Sequence, residues 1–125
     1  MRNKFIVLSL LISFLNSSCS DYKKNLKSKD INEIMKACYK LGEARDTSAV
    51  KLLLTEIIDW RMSTNMRFKG MTVYQCKVGA LSKISGIEVF YDYKPDTAVS
   101  NVYLNWAIQQ GFIKNKGEID LYYEK

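Results

Sequence analysis

One spacing restricts the fold of this 125-residue chain more than any other feature. The stretch Ala37-x-x-Lys40-Leu41 recurs 43 residues later as Ala80-x-x-Lys83-Ile84, and a glycine follows each, Gly42 and Gly86. Asp46-Thr47-Ser48-Ala49-Val50 then recurs as Asp96-Thr97-Ala98-Val99, with the alanines and valines 49 residues apart. Self-similarity at such a period marks stacked supersecondary units, none of which can bury its apolar face alone. The chain therefore reads as all-α, with about two helix–turn–helix units.

Four helices follow from the apolar periodicity. The first begins near Asp30, which has capping-box spacing to Glu33. Ile31, Ile34, Met35, Cys38 and Leu41 make one stripe at steps of three and four. Gly42 stands where a C-cap glycine is expected. Asp46, Thr47 or Ser48 caps the second helix. Val50, Leu53, Leu54, Ile57 and Ile58 form its broad apolar face, and Trp60 ends it. A third helix is predicted from about Met71 to Ser85, with Val73, Cys76, Ala80 and Ile84 on one face, Leu81 beside them and Gly86 as C-cap. Pro95 opens the fourth, at the position where its missing N–H costs nothing. Its stripe is Val99, Val102, Tyr103, Trp106 and Ala107, and Gly111 closes it. Between the third and fourth lies Ile87-Glu88-Val89-Phe90-Tyr91-Asp92-Tyr93-Lys94, either a loop or a short strand. The tail 113–125 alternates Ile119, Leu121 and Tyr123, the pattern of an extended segment.

At Leu41, Gly42, Asp46, Ala49, Val50 and Leu53 the chain resembles the bacterial HEAT-like (armadillo-type) repeat. Val73, Ala80, Leu81, Ile84 and Gly86 are similar to the first helix of a following repeat. The resemblance covers roughly residues 30–110 and implies a short HEAT-like α-α superhelix, with 30–112 as the repeat domain. It also implies a role in protein–protein contact rather than catalysis.

The N-terminus carries an address. Arg2 and Lys4 precede an apolar run from Phe5 to Leu15, which is 11 residues long. A membrane-spanning helix needs about 20, so residues 1–18 read as a cleaved signal. Ser17-Ser18-Cys19 resembles the lipobox of bacterial lipoproteins, in which the cysteine is acylated and becomes the first residue. Leu15 and Asn16 depart from that pattern, which usually has Leu three residues before the cysteine. The resemblance implies lipidation at Cys19, with palmitate-type acyl chains as a membrane anchor. It further implies a place in the cell envelope, at the outer membrane where one exists because Ser20 follows the cysteine. Removing 1–18 leaves a net charge of +4. Lys23, Lys24, Lys27 and Lys29 concentrate that charge in 19–29, which reads as a solvated basic tether. Export argues against nucleic acid as the partner of these lysines.

The chemistry-bearing residues are few. Without histidine there is no imidazole base and no Ser-His-Asp triad. The cysteines have no metal-ligand spacing, and no glycine-rich phosphate loop occurs. The expectation is a non-enzyme with no cofactor and no metal. Cys38 and Cys76 lie five residues out of step when Ala37 is aligned with Ala80. That offset is about 7.5 Å along the axis and argues for free thiols, although an exported chain raises the question of a disulfide. Candidate partner contacts are Arg67 and Phe68 in the inter-repeat loop and Tyr91 and Tyr93 in the aromatic linker. The expected partners are the membrane, through the lipid, and another envelope protein. The alternative is a small-ligand or glycan-binding module using Phe90, Tyr91, Tyr93 and Trp106.

Overall fold

Asp30 starts the first long helix, α1 (Ile31–Glu43), by accepting the Asn32 N–H at 2.9 Å on its carboxylate. The structure is a computed structural model and describes residues 21–124. Glu33 does not complete the expected capping box; its carboxylate takes the Ser28 hydroxyl at 2.7 Å. Gly42 is not the C-cap either. It lies inside the last turn of α1 and is buried. The left-handed residue is Arg45, at φ 50°. Asp46 N–H reaches the Leu41 carbonyl and Arg45 N–H the Gly42 carbonyl, both at 3.1 Å. These are the paired bonds of a Schellman ending, here without glycine at its left-handed position.

The second helix departs most from expectation. Asp46 caps it, through the Ser48 N–H at 3.0 Å. One 3-10 turn, Thr47–Ala49, leads into α2 (Val50–Leu54), which stops far short of Trp60. Thr55 is extended, and its hydroxyl bonds the Lys51 carbonyl at 2.8 Å. Glu56 then turns left-handed at φ 56°. Thr55, Ile57 and Ile58 are β-branched and lose χ1 freedom in a helix. The tail gives their backbone other partners: Glu56 N–H donates to the Asp120 carbonyl at 2.7 Å and Ile58 N–H to the Leu121 carbonyl at 2.8 Å. Ile58 and Tyr122 form an isolated parallel bridge, and Met62 and Thr72 an antiparallel one. No strand occurs among the described residues, and the fold is all-α.

A full capping box opens α3 (Val73–Ser85). Thr72 Oγ1 accepts Gln75 N–H at 3.2 Å, and Gln75 Oε1 accepts Thr72 N–H at 3.0 Å. Gly86, at φ 74°, ends it as expected. In α4 (Thr97–Gln109) Asp96 is the cap, so Pro95 lies one residue outside it rather than in the first helical position. Val99, Tyr103 and Ala107 are buried as read from the sequence. Ser100 and Leu104 complete that face, while Val102 is exposed and Trp106 is half-buried against Phe112, ring centroids 5.5 Å apart. The linker 87–95 is irregular. It is held by the Ile87 carbonyl, which accepts the Tyr103 hydroxyl at 2.9 Å and the Ser82 hydroxyl at 3.0 Å.

The long helices α1 and α3 run parallel, side by side. At their starts Ser63 donates to Asn32 Oδ1, while its backbone N–H pairs with the Met71 carbonyl. At their ends Lys83 pairs with Glu43. Leu41, Leu53, Leu54, Ile57, Val73, Leu81, Tyr103 and Leu104 fill the core between α1, α2, α3 and α4. Both flanking segments join this body. Residues 21–25 are helical, Leu26 is 6% exposed, and Lys23 reaches the Ser48 hydroxyl at 2.9 Å. The described part of the basic segment is therefore packed rather than a free tether, because Tyr22 and Leu26 give it an apolar side. Cys19 and the signal segment lie outside the described residues. No helix among those described is long and apolar enough to cross a membrane.

Candidate functional site

A cavity of about 670 Å³ opens along the α1–α3 seam. This is within the range of about 300–1,000 Å³ usual for ligand clefts. Its floor is Met35, Cys38, Cys76, Gly79 and Ala80, and Tyr39, Phe68, Met71 and Tyr91 wall it. The charged side chains lining it are Lys36, Lys40, Arg67 and Lys83, all cationic. Lys83 is occupied by Glu43 and sits 5.0 Å from the Tyr39 ring centroid. That pairing holds the Glu43 carboxyl below the usual carboxylate range. The result is an apolar trough with a basic rim.

Two segments far apart in sequence converge here. Phe68 packs against the core from the loop after α2, with the Arg67 guanidinium 6.0 Å from its ring centroid. The Asn65 side chain holds that loop by accepting the Arg67 N–H at 2.9 Å. Tyr91 comes from the α3–α4 linker and lies over Gly79, where an added Cβ would stand 3.2 Å from the tyrosine oxygen. A glycine in mid-helix is what lets the ring seat so closely. Arg67, Phe68 and Tyr91 thus line one groove. Tyr93 does not join them: it is exposed, its carbonyl accepts the Thr72 hydroxyl at 3.0 Å, and Lys94 lies 5.9 Å from its ring centroid. Met35 of the core stripe and the exposed Lys36, Tyr39 and Lys40 beside it complete the groove, and none of them was read from the sequence as a site residue.

A second cavity, about 500 Å³, opens beneath the linker at the start of α4. Phe90, which is 89% exposed, and Tyr122 are among its lining residues, with Asp92, Lys94 and Asp96. Tyr74 also lines it, fully buried, and its hydroxyl has no hydrogen-bond partner. The Asp96 N–H lies near that oxygen but outside hydrogen-bond geometry. Burial pushes the phenol up to about 12. Trp106 of the ligand-binding alternative lies apart from this cavity, against Phe112.

Two buried charges tie the scaffold behind the grooves. Lys77, 4% exposed, donates to the Thr55 carbonyl at 2.8 Å and to the Glu56 carbonyl at 3.4 Å. Burial lowers its pKa. It caps the chain where α2 ends, and it was hidden in the sequence as one more lysine. Asp59 is buried and receives Arg61 through two nitrogens, the shortest contact being 2.7 Å. The guanidinium stands 3.8 Å from the Tyr123 ring centroid, which holds the tail. No group of three or more acidic or cysteine side chains able to hold a metal occurs among the described residues. No protein-family model, curated protein or solved structure matches the chain.

Proposed function

We propose that this chain is a lipid-anchored, HEAT-like contact module of the bacterial cell envelope, and that it docks a protein segment in the α1–α3 groove. The anchor rests on the sequence of residues 1–20, with Cys19 as the acylated residue. The HEAT-like reading draws support from two parallel helices of equal length, α1 and α3, each followed by an aspartate-capped helix.

The observation that carries the docking role is the convergence of Arg67, Phe68 and Tyr91 on one apolar trough whose lining charges are all positive. Aromatic and Arg side chains dominate interface energy, and a basic rim favours an acidic partner segment through complementary potential. On this reading the module acts by presenting a surface.

The test is crosslinking of the anchored protein in membranes. An Arg67→Ala, Phe68→Ala pair that stays folded by circular dichroism is expected to lose a crosslinked envelope protein. Trp60→Ala, outside the groove, keeps it. An unchanged crosslink in the pair overturns the docking site. Cys19→Ala is expected to release the protein from membranes or leave it unprocessed.

A second reading has its own support. The unpartnered Tyr74 hydroxyl beneath a cavity with Phe90, Tyr122 and two carboxylates suits a polar ligand with apolar faces, such as a glycan. Titration with neutral tetrasaccharides, comparing the wild type with Tyr74→Phe, separates it from the first. Equal binding, or none, removes the glycan reading.

A further inference from the structure

Gly42 and Ala80 are the point of closest approach between α1 and α3 that the glycines reveal. An added Cβ on Gly42 would stand 3.0 Å from the Ala80 Cα. This contact fixes the register of two parallel helices, and the register differs from the one the sequence repeat suggests. Gly42, not Ala37, faces Ala80. Cys38 is four residues before Gly42, and Cys76 is four residues before Ala80. Four residues are about one helical turn. The two cysteines therefore occupy equivalent places one turn back along the same seam, with no axial offset between them. Both line the floor of the same cavity, and both carry free thiols here. A Gly42 Cβ only 3.0 Å from the Ala80 Cα means that the two backbones touch at this seam, and a disulfide requires such closeness, with Cα atoms within about 7 Å.

From this register we propose that Cys38 and Cys76 are a disulfide-forming pair, closed in an oxidising compartment by a low-molecular-weight or protein disulfide. The pair stands apart from the docking proposal and needs no partner in the groove. Cys76 is the half-buried member and faces the cavity, whereas Cys38 is fully buried. Cys76 therefore reacts first. Its thiolate attacks one sulfur of the oxidant, forming a mixed disulfide and expelling one thiol. Cys38 then gives up its proton and attacks the Cys76 sulfur, expelling the second thiol. Two cysteine S–H groups and one oxidant disulfide become one Cys38–Cys76 bond and two thiols. Burial raises both thiol pKa values, that of Cys76 to about 11. The thiolate is the nucleophile, so the bond forms slowly in the folded protein and faster during folding.

The experiment refolds the full chain from denaturant through a reduced and oxidised glutathione buffer, so that access to Cys38 does not limit the reaction. Peptide mapping without reduction is expected to find Cys38 joined to Cys76, and intact mass to show the loss of two hydrogens. The oxidised protein should melt higher than the same sample after reduction. That difference should vanish in Cys76→Ala, with its own melting point serving as the control for packing. Crosslinks that use Cys19 instead, a glutathione adduct that persists on Cys76, or two thiols still open to alkylation after refolding would each overturn the pair.

Discussion

Gly42 meets Ala80 across the α1–α3 seam with no room for a side chain between them. The atom in the way is a backbone carbon, so the helices themselves must separate to admit a methyl group. Gly42→Ala gains up to about 1 kcal/mol of helix propensity. Overpacking a close contact costs about 1–3 kcal/mol, and here we expect that cost to win. A net loss of about 1–2 kcal/mol in denaturant melts is the expected outcome. Ala80→Leu should lose at least as much, while Lys36→Ala, exposed on α1, stays within about 0.5 kcal/mol. A neutral or stabilising Gly42→Ala would mean that the helices do not pack in this register.

Lys77 is expected to reveal itself in the alkaline limb of stability. Its pKa is lowered in the fold by burial, so between the folded and unfolded values the unfolded chain binds more protons. Stability then rises with pH through that window. Lys77→Met removes this slope and strands the Thr55 and Glu56 carbonyls, at a cost of about 1–3 kcal/mol. Urea melts of both proteins from neutral to alkaline pH would check both parts. Parallel slopes in the two proteins would contradict the first.

These two residues also show what was legible in the sequence and what was not. Asp30, Asp46, Gly86 and Gly111 act locally, through their own turn, and each does what its residue type and position suggest, whereas Asp96 takes the cap one residue after the Pro95 that was expected to open the helix. Gly42 looks the same as Gly86 in sequence, yet its role is set by a neighbour 38 residues away. The shortness of α2 has the same kind of cause. Its apolar run continues through Ile58 at helical spacing, but the tail competes for the backbone of Glu56 and Ile58. Of the candidate contacts, Arg67, Phe68 and Tyr91 were visible as cations and rings in loops. Their convergence was not, because it depends on how α3 seats the linker over Gly79. Lys77 and Tyr74 were invisible for the converse reason: their types favour the surface, and only packing buries them.

The tail should come loose in acid. The Glu118 carboxylate accepts Lys51 at 2.8 Å and the Lys114 N–H at 2.6 Å, and the Lys51 bond first lowers its pKa. A depressed carboxylate contributes stability that is present above its unfolded value, about 4.3, and is lost as pH falls through the lower folded value. Glu118→Gln should flatten that part of the acid limb. Hydrogen exchange at Glu56 and Ile58, whose N–H groups the tail holds, should report the loosening. Exchange there that is indifferent to pH in this range and to Glu118→Gln would show that the tail is held without the carboxylate.

Arg61 should be among the least replaceable side chains at the molecule's surface. Its partner Asp59 is buried, with its side chain fully covered. Truncating one member of such a pair leaves a charge without compensation, at a cost of about 3–5 kcal/mol. Arg61→Ala also removes the platform under Tyr123. Arg61→Ala, Asp59→Asn should recover part of the loss, since no buried charge then remains. A double variant no more stable than Arg61→Ala alone would shift the explanation from charge to packing.

Gly79 offers a way to alter the groove without unsettling the fold. A methyl group there meets the far end of the Tyr91 side chain at 3.2 Å, and that ring can swing away from the helix. Gly79→Ala also gains helix propensity, up to about 1 kcal/mol. Thermal stability should therefore hold or rise slightly. The groove, however, loses both depth and the wall that Tyr91 provides. If a partner segment lies in it, Gly79→Ala should weaken docking by about tenfold, or about 1.4 kcal/mol. Reversing the rim with Lys36→Glu and Lys40→Glu should act differently, slowing association and changing its salt dependence. Association kinetics at two ionic strengths would separate these effects. A partner whose affinity ignores both the filled floor and the reversed rim binds elsewhere on the protein, and the cavity beneath Phe90 and Tyr122 becomes the surface to vary next.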